Sequence, residues 1–487
     1  MAAVYESVLD AIGGTPLFRL ARLGAGLPAP IYAKAEFLNI GGSVKDRAAL
    51  SMVLAAERDG LLRPGGTIVE ATSGNTGIGL AIVGRQRGYR VIAGVSDKSA
   101  PEKSDILRAY GAEVVLAPTA VPAEDPAHLF NVVQRLVEEI PGAWLANQYD
   151  NLANPDAHVR TTGPEIWEQT GGRVTHFVAG VGTGGTVTGT GGYLQQVSGG
   201  SVTVIGADPE SSMYGGGDGS PWFVESIGHF LHPGTVEDRW PQAYRSEVVD
   251  AFERIPDRES LLTARRLARE EGILAGPSSG TAVAAALRVA RRLGPDDLVV
   301  VLLPDSGRSY LSKVHSDDWM RQWGFLEESE SEPEAADGLR PLLAGAGPLV
   351  AVDAGATVGE ALEALRAVPG GVAPVVLARA ARPYGVSATE VVGSVSRAVL
   401  AAALADGGAK PGDPLSGPLG GPLGDPLGDP SGDPSGALLG PVLPAVGVGQ
   451  SPAEARAALG GAHEAVLVLV DGRAVAVLSR ARLEGGA

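Results

Sequence analysis

Six lysines occur in this chain against 33 arginines, and one of them stands in a setting suited to chemistry. Lys45 lies in Gly41-Gly-Ser-Val-Lys45-Asp-Arg47, directly where the amphipathic stretch AALSMVLAAERDG begins. A lysine at a glycine-rich opening of a helix can point into a cleft, and the positive end of the helix dipole disfavours its cation. That draws the amine towards nucleophilic use. A second constellation, Thr72-Ser-Gly-Asn-Thr-Gly77, joins an apolar run to a helical stretch. It offers hydroxyls, an amide and unpaired backbone N–H groups to an anion such as a carboxylate. A third, Gly180-Val-Gly-Thr-Gly-Gly-Thr186, occupies the same kind of turn and suits a single phosphate. It also satisfies G-x-G-x-x-G with Asp208 ending the next strand, as in a dinucleotide fold. A fourth, Ala275-Gly-Pro-Ser-Ser-Gly280, sets Ser278 and Ser279 where another helix begins. Taken singly, each has an ordinary structural reading as a solvated lysine, a capping turn or a weak glycine motif. His229-Phe-Leu-His232 has no third ligand in view, so no metal site is expected.

The elements that must position these turns show in the apolar pattern. Up to Leu326, short β-branched runs alternate with helix-length amphipathic stretches. TIVEA (67–71), RVIAGV (90–95), EVVLAP, VTHFVAG, VTVIGAD and DLVVVLLP each have a helical pattern on at least one side. Near-continuous Val/Ile/Leu strands suit a parallel sheet covered on both faces. Residues 1–326 are expected to form an α/β region of two lobes around a cleft. Ser99-Ala-Pro-Glu102 reads as a capping box with proline in the first turn of a helix.

Beyond it, residues 327–340 open on the acidic run EESESEPE, a solvated linker by composition. Residues 406–441 are dominated by Gly and Pro. Such a tract buries too little apolar area to offset chain entropy and is expected to be disordered or semi-extended. The segments on either side of it, 341–405 and 442–487, resemble each other. Thr357-Val-Gly-Glu360 and Ser451-Pro-Ala-Glu454 are capping boxes, and at the same offset Val372–Val376 aligns with Val466–Val470. A β-α-β-β-like unit is expected twice, as a small pseudo-symmetric module.

Composition narrows the function class. A formal net charge of −17 argues against a nucleic-acid or anionic-membrane partner. The absence of cysteine excludes disulfides, thiolate metal sites and a cysteine nucleophile, and fits a reducing cytoplasm. Neither a signal-peptide pattern at Met1–Asp10 nor a run of about 18 apolar residues is found. A cytoplasmic protein is the expectation.

In this order, the segments IGGTPLFRL, GGSVKDR, EATSGNTGIGLA, NQYDNLANPDAH, HFVAGVGTGGTVTG, GADPESSMYGGG and LLPDSGRSYLSKVHSDDWM resemble the β-family of pyridoxal-phosphate enzymes, fold type II. Within it the resemblance is to the cystathionine β-synthase and cysteine synthase family, over residues 5–326. The repeated module resembles a pair of CBS domains. The fold implied is α/β and two-lobed, tryptophan synthase β-like with open parallel sheets, followed by an α+β pair. The resemblance implies that Lys45 forms the Schiff base with pyridoxal 5′-phosphate and that Asn75 hydrogen-bonds the pyridine 3′-oxygen. Gly182, Thr183, Gly184, Gly185 and Thr186 would hold the phosphate, and Ser278 would face the pyridine nitrogen. Thr72, Ser73, Thr76 and Gln148 would bind the substrate carboxylate.

The implied reaction is a β-replacement in which L-serine and L-homocysteine give cystathionine and water by way of an aminoacrylate. Cysteine synthesis from O-acetylserine or O-phosphoserine with sulfide is the alternative. A nicotinamide-dependent dehydrogenase built on Gly180–Gly185 and a non-catalytic metabolite sensor are more remote. The implied partners are small amino-acid and thiol substrates and a second copy of the chain. Two departures stand out. Ser226-Ile-Gly228 occupies the place where the family more often has Gly-Ile-Gly. In the repeats, Val399 and Arg482 stand three residues after Ser396 and Ser479, where an adenosyl-binding pattern has aspartate. An adenosyl ligand is therefore not expected, and a structural or dimer-contact role is.

Overall fold

The apolar runs of the first 315 residues become the strands of two open sheets. The computed structural model describes residues 4–97, 99–118, 121–326, 338–343, 346–379, 381–415, 438–461 and 463–485. The chain divides into two units, Met1–His315 and Ser316–Ala487. In the first lie β1 (Leu17–Arg19), β2 (Ile31–Ala35), β3 (Thr67–Thr72), β4 (Arg90–Ser96) and β5 (Glu113–Ala117). They are followed by β6 (Ala143–Leu145), β7 (His176–Gly180), β8 (Thr203–Pro209), β9 (Ala251–Ile255) and β10 (Val299–Leu303). One sheet has the order β1-β2-β10-β7-β8-β9 and the other β5-β4-β3-β6. Every pairing is parallel except that of β1 with β2. β3 and β10 are buried along their whole length, as a parallel sheet covered by helices on both faces requires. This is the two-lobed α/β architecture expected from the sequence.

One local expectation fails. The helix after β4 spans Pro101–Ala109 with Ala100 as its N-cap and no side-chain cap, so Ser99 and Glu102 do not form a capping box. The Glu102 carboxylate instead accepts from the backbone N–H and hydroxyl of Ser312, at 2.8 and 2.9 Å. A distant donor pair outcompetes the local cap, and proline in the first turn needs no partner for its nitrogen.

In the second unit the repeated segments take the same form. β11 (Val352–Asp353) runs parallel to β12 (Val372–Val376), which pairs antiparallel with β14 (Val391–Ser396). β15 (Ala445–Gly447), β16 (Ala465–Val470) and β17 (Arg473–Ser479) repeat the pattern. Between them, β13 (Val386–Ser387) leaves the first copy to pair with β17 of the second. Each copy has a helix, Val358–Leu365 or Pro452–Leu459, opened by the capping box read from the sequence. The segment 316–326, grouped with the first domain by sequence, packs here. The backbone oxygens of Trp323 and Gly324 accept from Gly472 and Asp471 at 2.8 and 3.1 Å. The acidic run 327–334 and the central part of the Gly/Pro tract, 416–437, lie outside the described residues. The ends of that tract are seated on the first copy. Leu415 is buried in its core, and Ser394 and Gly440 exchange backbone hydrogen bonds at 3.1 and 2.8 Å. Among the described residues no helix is long and apolar enough to cross a membrane.

Close helix packing in the first unit gives a paired test. A Cβ at Gly189 would lie 2.1 Å from the Pro155 carbonyl oxygen, whereas one at Gly192 on the same helix would meet only Val248, at 3.9 Å. Gly189→Ala should cost about 2 kcal/mol through overpacking. Gly192→Ala should stabilise by roughly 0.5–1 kcal/mol, through helix propensity alone. Denaturant unfolding of the two variants checks the opposite signs.

Candidate active site

Segments following the carboxyl ends of β3, β7 and β10 converge with two further turns, which is where open α/β sheets place ligands. One cavity is lined by Val44, Lys45, Asn75, Gly180, Gly182, Thr183, Gly184, Thr186, Ser226, Ile227, Ser278, Leu302, Pro304 and Asp305. Residues singled out from all four sequence constellations therefore meet at a single surface. Thr72, Ser73, Thr76 and Gln148 are not in that lining. Two of them are hydrogen-bonded to each other, Thr76 to Gln148, and Ser73 contacts Ser226 of the wall. Gly185 begins the helix Gly185–Val197 behind the glycine loop.

Lys45 is the first residue of the helix Lys45–Arg58. The glycine turn before it is clamped to the segment after β10. Val44 N–H donates to the Pro304 carbonyl at 2.8 Å, and Ser306 N–H donates to that of Gly42 at 3.1 Å. Ser43 and Asp305 form an antiparallel bridge between the same two segments. The Lys45 amine is held below its ordinary pKa because burial penalises its cation, an effect only partly opposed by the Asp305 carboxylate.

The 72–77 turn is built on Thr72. Its Oγ1 accepts from Gly74 N–H at 3.0 Å and Gly77 N–H at 3.3 Å. Gly74 has φ +118°, and a Cβ there would lie 2.6 Å from Lys103 Cδ, so no side chain fits. The turn delivers Asn75 to the start of the helix Asn75–Arg87. Thr76 donates its hydroxyl to Gln148 Oε1 at 2.5 Å, and Gln148 Nε2 donates to the Ala71 carbonyl at 3.0 Å.

The 180–186 loop opens the helix Gly185–Val197 with Gly184 as N-cap at φ +83°. A Cβ at Gly184 would lie 2.3 Å from Tyr244 Cβ. Tyr214 donates its hydroxyl to the Gly182 carbonyl at 2.7 Å, and Asn154 Nδ2 donates to Thr183 Oγ1 at 3.1 Å. The carbonyl side of the loop is thus engaged, which suits it to present N–H groups and hydroxyls to an anion. Asp208, the acidic residue of the dinucleotide reading, is fully buried and accepts from Gly215 N–H at 2.7 Å. It is committed to its own loop and not held out for a ribose.

Ser278 is the second residue of the helix Pro277–Ala290, and its buried Oγ has no hydrogen-bond partner. Asp305 was not singled out by sequence. Its Oδ2 accepts from Asn75 Nδ2 at 2.7 Å and from the Tyr310 hydroxyl. That bond turns the amide nitrogen of Asn75 towards Asp305, and the nitrogen keeps a second proton for another acceptor. A partly buried ion cluster lies close by, with Lys103 and Lys313 donating to Glu225 at 2.9 and 2.7 Å. Lys103 also lies 4.4 Å from the centre of the Tyr310 ring. The available signal for Asp305 was its place just past the carboxyl end of an apolar strand.

Comparison with known proteins gives this site its family. Residues 8–305 match the pyridoxal-phosphate dependent enzyme family, and the chain belongs to it. It is 44% identical over 335 residues to cystathionine β-synthase of Oryctolagus cuniculus, a match covering 67% of this chain and 59% of that protein. It is equally 44% identical over 317 residues to a probable cysteine synthase of Bacillus subtilis, covering 64% of this chain and 98% of the relative. The match thus spans about six tenths of the longer relative and nearly all of the shorter. A solved O-acetylserine dependent cystathionine β-synthase from Helicobacter pylori is 38% identical with a TM-score of 0.59, covering 64% of this chain and 99% of its own. The residues present fit the family's cofactor. A buried hydroxyl without a partner at Ser278, a loop closed to any side chain at Gly184 and an amine shifted towards neutrality at Lys45 surround one cavity.

Beneath Gln148, Glu70 is fully enclosed in β3. Burial raises its pKa to about 8, against opposing hydrogen bonds from Gln148 and Asn147. A carboxyl held above its unfolded value contributes stability that is full at low pH and is lost as pH rises through about 8. Glu70→Gln should escape that loss. Its unfolding temperature should gain roughly 5 °C on the parent between pH 6 and pH 9. A gap independent of pH would show that Glu70 ionises normally.

Proposed function

We propose that this chain is a pyridoxal-phosphate-dependent β-replacement enzyme that condenses L-serine with L-homocysteine to cystathionine and water. The observation that carries the reading is the shared cavity of Lys45, Asn75, the glycine loop and Ser278, with the Thr72–Gln148 group beside it. Lys45 would anchor the cofactor covalently through Nζ, Asn75 would donate to its phenolic oxygen, and Gly182–Thr186 would take its phosphate. Ser278 would meet the ring nitrogen as a hydroxyl, without the protonating effect of a carboxylate. When bound, the cofactor withdraws electrons from the substrate's Cα, so that the proton there becomes acidic and the β-substituent can leave.

The remaining work belongs to the chain's own groups. Freed by the incoming amino group, Lys45 Nζ accepts the Cα proton; burial, which lowers its pKa, favours the neutral amine that this requires. The same nitrogen then returns a proton to the departing hydroxide, so that water leaves. Thr72, Ser73, Thr76 and Gln148 would orient the substrate carboxylate. Asp305 holds Asn75 in the flip that turns an N–H outward. The new C–S bond forms between the homocysteine sulfur and the β-carbon vacated by the hydroxyl, as the S–H bond breaks and its proton, carried by Lys45 Nζ, replaces the one lost from Cα.

Residues 1–326 would carry this reaction, and the repeated segments 341–405 and 442–487 would form a CBS-like pair with a structural or dimer-contact role. Cysteine synthesis from O-acetylserine or O-phosphoserine with sulfide is the competing reading, supported by similarity to cysteine synthases. The two separate on kcat/KM. Serine with homocysteine should exceed O-acetylserine with sulfide by about tenfold or more, and Lys45→Ala should lower either activity by roughly a thousandfold. The reverse preference would reassign the enzyme to cysteine synthesis.

A further inference from the structure

Ser226 holds a backbone conformation that its side chain disfavours. Its φ is +73°, in the left-handed region that glycine enters freely and other residues rarely do. It also stands where the family resemblance expects glycine. Its surroundings fix this geometry. A Cβ on Gly182 would come within 2.6 Å of the Ser226 carbonyl oxygen, and Gly228 N–H is tied to the Val181 carbonyl at 2.7 Å. Backbone strain of this kind persists where a site uses it.

The hydroxyl shows what the site gains. Ser226 lines the cavity, with its Oγ 3.2 Å from Ser73 Oγ and accepting from Lys103 Nζ at 3.4 Å. Lys103 is fully buried and held by Glu225. An ammonium only donates, so it occupies a lone pair of Ser226 and turns the hydroxyl proton away from itself. Two oxygens can take that single proton: Ser73 Oγ, an aliphatic hydroxyl, and the weaker-accepting phenol oxygen of Tyr310, whose own proton goes to Asp305. A carboxylate against Ser73 draws the Ser73 proton to itself and leaves that oxygen's lone pair to Ser226. Donors then run in one direction, from Lys103 through Ser226 and Ser73 to the carboxylate, each polarised by the one before it.

We infer that Ser226 is a positioning residue for the amino-acid substrate, fixing Ser73 as a hydrogen-bond donor to the α-carboxylate. This rests on the carboxylate role proposed for Ser73. It is tested with L-alanine, which has the carboxylate and amine of a substrate but no leaving group. The result is thus independent of whether serine or O-acetylserine is preferred. Binding to the cofactor-loaded enzyme is followed by the change in visible absorbance for Ser226→Ala, Ser226→Gly, Ser73→Ala and the Ser73→Ala/Ser226→Ala double variant. Each single substitution should weaken binding about fivefold, the scale of one hydrogen bond, with the spectrum before L-alanine unchanged. Ser226→Gly, which relieves the backbone, should lose as much affinity as Ser226→Ala. The double variant should bind no more weakly than Ser73→Ala. Parent-like binding by Ser226→Gly, or losses that multiply in the double variant, would overturn the inference.

Discussion

Two backbone hydrogen bonds between residues 42–44 and 304–306 underlie the site. They join the glycine turn before a helix to the segment leaving β10, and so bring the Lys45 amine and the Asp305 carboxyl to one cavity. Neither segment is regular structure, so their order comes from each satisfying the other's backbone. The strands behind them contribute rigidity. β10 lies between β2 and β7 in the middle of its sheet, buried throughout.

Burial depresses the amines of Lys45 and Lys34 alike, and direct ion pairing is what separates them. Lys34 and Lys103 are fully enclosed and neutralised by carboxylates, Glu165 at 2.6 Å and Glu225 at 2.9 Å. Such pairing is the ordinary way for a cation to survive burial. Lys45 feels Asp305 only through space, and desolvation prevails. A lysine left in that condition favours its neutral, nucleophilic form. Asp305 itself is pushed upward by burial against the pull of Lys103, and it spends hydrogen-bonding capacity on Asn75 and Tyr310.

Much of this was legible in the sequence because it depends on residue type. Buried parallel strands must be apolar and β-branched, so TIVEA, RVIAGV and DLVVVLLP announced themselves, and anion-binding turns need small residues, so the four constellations did too. Failures came where distance decides. Ser99 and Glu102 have capping-box spacing, but Glu102 finds donors 210 residues away on Ser312. Asp305 acquires a role only through Asn75 and Tyr310, which the fold brings to its carboxylate. Ser226 was visible as a departure from glycine, yet its left-handed backbone and its contacts with Ser73 and Lys103 arise from segments 153 and 123 residues away. Chain order carries no trace of such neighbours.

The central claim is that a single amine, that of Lys45, carries the cofactor. Borohydride reduction of the cofactor-loaded protein, followed by proteolysis and mass mapping, tests it directly. The pyridoxyl group is expected on the peptide containing Gly41-Gly-Ser-Val-Lys45 and nowhere else. Label on Lys103, Lys34 or another lysine, or none after full loading, would contradict the account.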